Sequence, residues 1–290
     1  MKSFREHSEE LQERVNEILM DSKLSVVVEG DHDILAYEII FNEDECHFEQ
    51  FCGKENAIMV MAEVNKIKPE RAIAILDNDL DQLQGKRYPD NVFFCDAHDI
   101  DAQMFLSDTY YRVAREYYTK SNTSSKQKMS DIRTQIKEFS RPLSIMRVVS
   151  DELKLHFAFK ASEKHPKAFP YKDLLKLNHH ECVYLGDDNL VKVTCQYRNQ
   201  GIKLDQNTIT QKVKAIAQRG YDDSMLLHGH DLMNMMGQLV IRYGRAKATA
   251  VCSDELERSF RLAYANELHS CGLYQRLASY FGDESIRYLT

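Results

Sequence analysis

Short apolar runs alternate with segments of helical periodicity over the first hundred residues, and this alternation limits the folds open to the chain. The helical segments lie at about 32–42 and 55–67, and a long helix is expected to begin near Ile100. The apolar runs predict strands at 24–30, 46–52, 71–77 and 91–95. Strands that alternate with helices of this length require crossovers and form a mostly parallel sheet. We therefore predict an α/β fold with a sheet flanked by helices.

The rest of the chain is predicted to be mainly helical. A polar run at 119–131 has the composition of a linker. One short strand or hairpin is expected at 191–204, within the helical part. The predicted organisation is an N-terminal amphipathic helix at 1–22, an α/β domain at 23–118, a polar linker at 119–131, and a mainly helical region at 132–290 that is basic and expected to bind a partner.

Charge is distributed unevenly along the chain. Residues 1–111 hold 10 Lys/Arg against 25 Asp/Glu, whereas residues 112–220 hold 21 against 11. An acidic part followed by a basic part suits a metal–carboxylate centre beside a polyanion-binding surface, although solvated helix faces would give the same pattern. Seven scattered cysteines argue against a disulfide frame or a zinc site. With no signal-like or membrane-length apolar run, we expect a cytoplasmic protein.

Acidic residues follow two of the predicted strands. Glu29 closes the first strand, Asp77 closes the third, and Asp79 and Asp81 follow in LDNDLD. Because parallel strands end at the same edge of a sheet, these carboxylates are expected to converge there. If strand geometry continues past Asp77, that residue and Asp79 point to the same side, about 7 Å apart. An all-oxygen set favours Mg²⁺ or Mn²⁺, which can activate water at a phosphodiester.

Each of these residues also has a purely structural interpretation. Asp31 could cap the helix that follows the first strand and leave Glu29 as a rim residue. Asp99, in HDID, could likewise cap the next helix rather than serve the site. Lys54 could reach a scissile phosphate, or it could be a solvated lysine in a turn.

Basic and aromatic residues are interleaved in the second half of the chain. Such a pattern suits phosphate contact with base stacking, whereas the structural alternative is core aromatics with surface lysines. Further on, HGHDLMNMM places His228 and His230 where they could bind metal or touch a substrate backbone, but Asp231 as a helix N-cap is the preferred interpretation. The interleaved residues are Lys160, Lys164, Lys167, Lys172, Lys176, Phe157, Phe159, Phe169 and Tyr171.

The acidic motifs resemble a known family. E-G-x-x-D at 29–33 with D-x-D at 77–79 is similar to the TOPRIM domain of topoisomerases, primases and overcoming-lysogenization-defect nucleases. More narrowly, the chain resembles the TOPRIM-like family of unknown function that includes AriB, the effector of the PARIS anti-phage defence system. The segments that carry this resemblance are VVVEGDHDILAYEIIF, ILDNDLD, CDAHDIDAQMFL, HGHDLMNMM and LERSFRLAYANELHSCGLYQRL.

The resemblance implies a metal-dependent nuclease with assigned residue roles. Glu29 matches the general acid or base, and Asp77 and Asp79 match metal ligands. Asp33 matches a further acidic position that could hold a second ion or a ligand, and Asp99 matches an acidic position at the start of the next helix.

For relatives of this kind the resemblance implies a toxic effector that cleaves RNA, with tRNA as one candidate. Its activity would be released by an AriA-like ABC-type ATPase sensor on another chain, and the active form could be a homodimer. The alternatives are a DNA repair or recombination nuclease, a binding module without catalysis, and a phosphohydrolase.

Overall fold

The computed structural model describes the chain in two compact units. One comprises Met1–Gln103 with Tyr264–Thr290, and the other comprises Met104–Ala263. The prediction of an α/β fold with a parallel sheet, flanking helices and a helical C-terminal region is confirmed. The described residues are 4–81, 84–119, 125–157, 159, 169–196, 205–245 and 248–290.

Helices dominate the described residues. The strands are β1 (Leu24–Val28), β2 (Cys46–Gln50), β3 (Ala72–Leu76), β4 (Val92–Phe94), β5 (Leu175–Leu177) and β6 (Cys182–Tyr184). In chain order the α-helices are α1 (Phe4–Met20), α2 (Asp31–Tyr37), α3 (Lys54–Ile67), α4 (Ile100–Leu106), α5 (Thr109–Tyr117), α6 (Lys126–Glu152), α7 (Asp187–Gln196), α8 (Gln206–Ala217), α9 (Asp223–Leu226), α10 (Gly229–Tyr243), α11 (Ser253–Leu268), α12 (Gly272–Phe281) and α13 (Ser285–Tyr288). No helix among the described residues is both long enough and apolar enough to span a membrane.

The sheet of the first unit is parallel throughout, in the order β2-β1-β3-β4. Its two central strands are fully buried, which is why they appear in the sequence as continuous apolar runs. Each of the four predicted strands is present, and each ends one or two residues earlier than its predicted limit. Because the strands are parallel, all four end at the same edge of the sheet. At this edge Glu29 follows β1 and Asp77 follows β3.

The core of the first unit lies between one face of the sheet and the pair α1 and α3. Apolar side chains from both helices and from three strands fill this space. The predicted N-terminal helix is confirmed, and its apolar stripe is the face that packs here. Representative buried residues are Val15, Ile18, Val27, Val60, Val64 and Ala74.

The C-terminal tail belongs to the first unit and is fixed to it by Asp96. The Asp96 carboxylate accepts a hydrogen bond from the Leu273 backbone N–H at 3.2 Å and pairs with Arg276 at 2.8 Å. Arg276 also donates to the Phe94 carbonyl at the end of β4. A Cβ on Gly272 would lie 2.7 Å from the Asp96 carboxylate, so this close approach requires glycine.

The predicted long helix near Ile100 is wrong, because two short helices, α4 and α5, replace it. The break falls at Ser107, whose hydroxyl donates to the Met104 carbonyl at 2.9 Å and accepts from the Thr109 N–H at 3.1 Å. Such local side-chain hydrogen bonds compete with the helix ladder and end it.

In the second unit, α6 packs against α8 and α10. This helix begins at Lys126, inside the range predicted as a linker, because Ser125 caps it by accepting from the Lys128 N–H at 3.2 Å. Residues 120–124 lie outside the described residues.

The strand or hairpin expected at 191–204 is wrong for residues 191–196, which form the end of α7. Leu190, Val191 and Thr194 are buried at helical spacing, so the β-branched residues there serve a helix face. The remainder, 197–204, lies outside the described residues. The hairpin of this unit is instead β5 paired with β6.

Charged side chains connect α1 and the residue after it to β2. Arg14 of α1 pairs with Glu49 of β2, and Asp21 lies beside His47 of β2. The His47 imidazole lies 3.2 Å from the Asp21 carboxylate and 3.3 Å from that of Glu49. The hydrogen bond to Glu49 raises the pKa of His47 above 6.5, and further support from Asp21 outweighs the lowering effect of burial. The same hydrogen bond lowers the pKa of Glu49.

Because the raised pKa belongs to the folded state, His47 stabilises the fold fully below pH 6.5, and this contribution is lost as pH rises through the folded pKa. We expect His47→Gln to lower the free energy of unfolding by about 1 kcal/mol at pH 5.5 and by less at pH 9. Urea unfolding at the two pH values measures the difference. Equal losses at both would contradict a role for the protonated imidazole.

Candidate active site

Two strand ends meet through a hydrogen bond at the carboxyl edge of the sheet. Glu29 directly follows β1 and Asp77 directly follows β3, which is the neighbouring strand. The Asp77 backbone N–H donates to the Glu29 carboxylate at 3.0 Å. The structure thus brings together two predicted site residues that are 48 positions apart in the chain.

Asp33 lies in the first turn of α2 beside these two residues. Its carboxylate accepts a hydrogen bond from the Gly30 backbone N–H at 2.9 Å, and Gly30 is the N-cap of the helix. Asp31 is exposed and is not the cap, so the interpretation in which it caps α2 is wrong. Asp33 therefore has a structural role at the helix start as well as its place in the acidic group.

The chain leaves strand geometry after Leu76, and Asp79 adopts a left-handed backbone with φ of 48°. Its N–H donates to the His98 carbonyl at 2.8 Å, which holds the turn. The condition under which Asp77 and Asp79 were expected to point to the same side, that strand geometry continues past Asp77, is therefore not met. Aspartate tolerates this conformation better than most residues, which is consistent with its position in the turn.

Lys54 is the first residue of α3, and its ammonium group contacts the loop that carries Asp77, Asp79 and Asp81, here called the aspartate loop. The ammonium donates to the Asp77 carbonyl, lies 3.0 Å from the Asp79 carboxylate and lies 2.7 Å from that of Asp81. With its side chain 14% exposed, Lys54 is not a solvated turn residue, so that alternative is wrong. Burial alone would lower the pKa of Lys54, but the two carboxylates raise it more, and the lysine stays charged.

Asp81 is buried and neutralised from several directions. Besides Lys54, its carboxylate pairs with Lys86 at 2.5 Å and accepts a hydrogen bond from the Tyr88 hydroxyl at 2.6 Å. Burial raises the pKa of Asp81, but the hydrogen bonds from Lys54, Lys86 and Tyr88 together lower it by more. The pKa of Asp81 therefore lies below its ordinary value.

The carboxylates nearer the strand ends behave in the opposite way. Burial, followed by the charge of Asp79, raises the pKa of Glu29 to about 7. Burial, followed by the charges of Asp99 and Asp33, holds the pKa of Asp77 well above its usual range. The pKa of Asp33 is raised by burial first, with a further contribution from Asp99. This mutual repulsion is what a divalent cation would relieve.

The donor chemistry of these residues fits a hard divalent cation, but their side chains are not gathered around one point. Among the described residues, no three of the five carboxylates bring ligand oxygens within 4.8 Å of one another. Rotation of side chains would be needed for a shared ion. The five residues are Glu29, Asp33, Asp77, Asp79 and Asp99.

His98 is a residue of this edge that the sequence analysis missed, although it stands within the HDID motif. The imidazole is buried and lies 3.9 Å from the Asp79 carboxylate, and it has a ligand atom within 4.8 Å of one on Asp99. Asp99 accepts from the Ala102 N–H at 2.7 Å and so caps α4, as its structural interpretation predicted. An imidazole beside the carboxylates makes Mn²⁺ a better fit than an all-oxygen set would suggest.

The basic and aromatic residues of the second unit do not form the stacking surface considered for them. Lys172 and Lys176 are exposed, whereas Lys160, Lys164 and Lys167 lie outside the described residues. The four aromatic side chains are buried and packed in edge or tilted contacts, so base stacking on them is a wrong prediction. They are Phe157, Phe159, Phe169 and Tyr171.

The histidines at the start of α10 take separate positions in the second unit. His228 is the N-cap residue, and its backbone N–H donates to the Ser144 hydroxyl at 3.2 Å. His230 lies 3.0 Å from the Glu257 carboxylate. The predicted N-cap role of Asp231 is wrong, because Asp231 is the third residue of the helix and is completely buried.

Asp231 is instead the anion of a buried ion pair. Arg147 donates to both carboxylate oxygens, at 2.8 and 2.7 Å, and the Tyr171 hydroxyl donates at 2.6 Å. Burial raises the pKa of Asp231, but Arg147 lowers it more, so the carboxylate remains ionised. The role of this group is structural, because it joins α6, α10 and the segment before β5.

Comparison with known proteins does not assign the chain to a family. No protein-family model matches it, and no curated protein matches it. The TOPRIM-like relationship therefore stays a prediction that rests on the motifs.

The raised pKa of Glu29 predicts a stability effect in the absence of metal. Because folding favours the protonated form, ionised Glu29 costs stability increasingly from pH 4.5 to about 7. We expect Glu29→Gln to raise the free energy of unfolding of metal-free protein by about 2 kcal/mol at pH 8 and to leave it unchanged near pH 4. Glu38→Gln, at an exposed position, is the control. No gain at pH 8 would show that the Glu29 carboxylate is well solvated.

A second prediction concerns Arg147. Its replacement by methionine leaves the Asp231 carboxylate buried without its cation, so we expect a loss of about 3–5 kcal/mol in the free energy of unfolding. The double variant Arg147→Met with Asp231→Leu should recover part of that loss. Chemical denaturation of the three proteins measures it, and a loss below 1 kcal/mol would contradict the structural role.

Proposed function

We propose that the chain is a metal-dependent nuclease that hydrolyses phosphodiesters at the carboxyl edge of its parallel sheet. The observation that carries the proposal is the hydrogen bond from the Asp77 backbone N–H to the Glu29 carboxylate at 3.0 Å, together with the pKa of Glu29, which is raised to about 7. Buried carboxylates with raised pKa values at strand ends are typical of functional sites. The resemblance to TOPRIM domains supports the same roles for Glu29, as the general acid or base, and for Asp77, as a metal ligand.

In this proposal Glu29 is the proton-transfer group. A carboxyl group with a pKa of about 7 can both accept and release a proton near neutral pH. Asp77 and Asp79 would hold Mg²⁺ or Mn²⁺, and Asp33 would stand next to them as a further acidic position. When bound, the metal would lower the pKa of water and neutralise charge on the phosphate.

Lys54 belongs to the proposed site through the aspartate loop. Its ammonium is engaged with Asp79 and Asp81, so the proposal gives it the task of fixing that loop rather than of binding the scissile phosphate.

The substrate and the biological setting are proposed from the resemblance and the charge pattern. RNA, including tRNA, is favoured over DNA, and the basic residues between 112 and 220 would contact its phosphates. The chain would act in the cytoplasm as a toxic effector of anti-phage defence, held back or released by an ABC-type ATPase sensor, with a homodimer as a candidate active form. A DNA repair or recombination nuclease is the alternative that shares this site.

One observation favours a second candidate, a binding module without catalysis. Asp79 and Asp81 are already neutralised by lysines, so part of the acidic edge has no need of a metal ion. A module of this kind would bind nucleic acid without turnover.

Cleavage assays with purified full-length protein separate these candidates. Total RNA, tRNA and plasmid DNA are incubated with Mg²⁺ or Mn²⁺, and the products are followed over time. We expect metal-dependent cleavage of RNA, lost in EDTA, and a loss of at least about 100-fold in rate for Glu29→Gln and for Asp77→Asn.

Asp31→Asn is the matched control, because Asp31 is an exposed carboxylate two residues from Glu29 and should retain the wild-type rate. Preference for duplex DNA would favour the repair alternative. Binding of RNA without cleavage in either metal would favour the binding module, and equal rates for all variants would remove the catalytic proposal.

A further inference from the structure

The lysine–aspartate contacts of the first unit bear on how many metal ions the proposed site can hold. The Lys54 ammonium contacts four oxygens of one loop. They are the carbonyls of Asp77 and Asn78 and one carboxylate oxygen each from Asp79 and Asp81. Monodentate carboxylates and main-chain carbonyls are the kind of oxygen ligands that hard cations take. Here the cation is a side chain of the protein.

The position of this ammonium is fixed by the fold. Lys54 begins α3 directly after Gly53, whose φ of 118° favours glycine, and the side chain is largely buried. The ammonium also lies 5.3 Å from the centroid of the Phe94 ring. The ammonium group thus contacts the loop oxygens and the Phe94 ring, and its position is fixed.

The remaining carboxylates of the edge differ in their partners. Among the described residues, no lysine or arginine forms an ion pair with the carboxylates of Glu29, Asp33 or Asp77. Lys54 reaches Asp77 only through the main-chain carbonyl. The acidic edge therefore has one part that is neutralised by lysine and one part that is not.

We propose that Lys54 is a tethered cation that fills the position a second divalent ion would otherwise take, so that the site binds one metal ion per chain. This inference rests on the proposed function, since it presupposes a metal ion held by Asp77 and by the Asp79 carboxylate oxygen that Lys54 does not contact. It deepens that proposal by making Lys54 a positioning residue, which holds the Asp79 turn in place before and after the metal binds.

The test is the number of Mn²⁺ ions bound per full-length chain, measured by equilibrium dialysis with metal analysis. We expect one ion for the wild type and two for Lys54→Met. The variant lacks the ammonium group that contacts the Asp77 carbonyl and the carboxylates of Asp79 and Asp81, so these oxygens can bind a second Mn²⁺ ion. Lys54→Arg keeps the charge and should bind one.

Lys86→Met is the matched control. Lys86 pairs with the same Asp81 carboxylate at 2.5 Å but forms no ion pair with Asp79 among the described residues. It should bind one ion, as the wild type does. A thermal unfolding series gives a second measurement: Mn²⁺ should raise the melting temperature of Lys54→Met more than that of the wild type.

The outcomes separate this inference from the proposed function. Two ions on the wild type, or one ion on folded Lys54→Met with no extra thermal shift, would overturn the tethered-cation role while leaving a metal site intact. No ion on the wild type would overturn the proposed metal centre and the inference with it. If Lys54→Met does not fold, the wild-type count and the milder Lys54→Gln variant decide in the same way.

Discussion

The parallel pairing of β1 with β3 is the constraint on which the rest of the site depends. Adjacent parallel strands must end at the same edge, so Glu29 and Asp77 are brought together by backbone geometry and not by attraction between their side chains, which repel one another. The hydrogen bond from the Asp77 N–H to the Glu29 carboxylate offsets part of this repulsion. The apolar core beneath the sheet stabilises the strands enough to hold charges there that would otherwise move apart.

The first unit also depends on its tail. Asp96 binds the start of α12 and pairs with Arg276, which in turn donates to the end of β4. The last strand is short, and an edge strand of three residues has few hydrogen bonds of its own. Residues from nearly 180 positions further along the chain thus complete the unit in which the acidic edge is found.

Strand-level features were predictable from the sequence because they depend on local pattern. The apolar runs that end at Glu29 and Asp77 identify buried parallel strands, and topology alone then predicts that these residues meet. The turn at Asp79 was not predictable, because it is held by the carbonyl of His98 from a separate segment. The partner of Asp231 was missed for the same reason, since Arg147 is 84 residues away and the local sequence reads equally well as a helix cap.

The contrast between two buried carboxylate environments is the strongest physical argument that the edge of the sheet is a site. Asp231 is completely buried, and the chain satisfies it with Arg147 and Tyr171, so its pKa is lowered. Asp81 is satisfied in a similar way by two lysines and a tyrosine. Glu29 and Asp77 have raised pKa values instead. The proposed metal centre accounts for this contrast, because a divalent cation beside Glu29 and Asp77 would relieve the cost of ionising them.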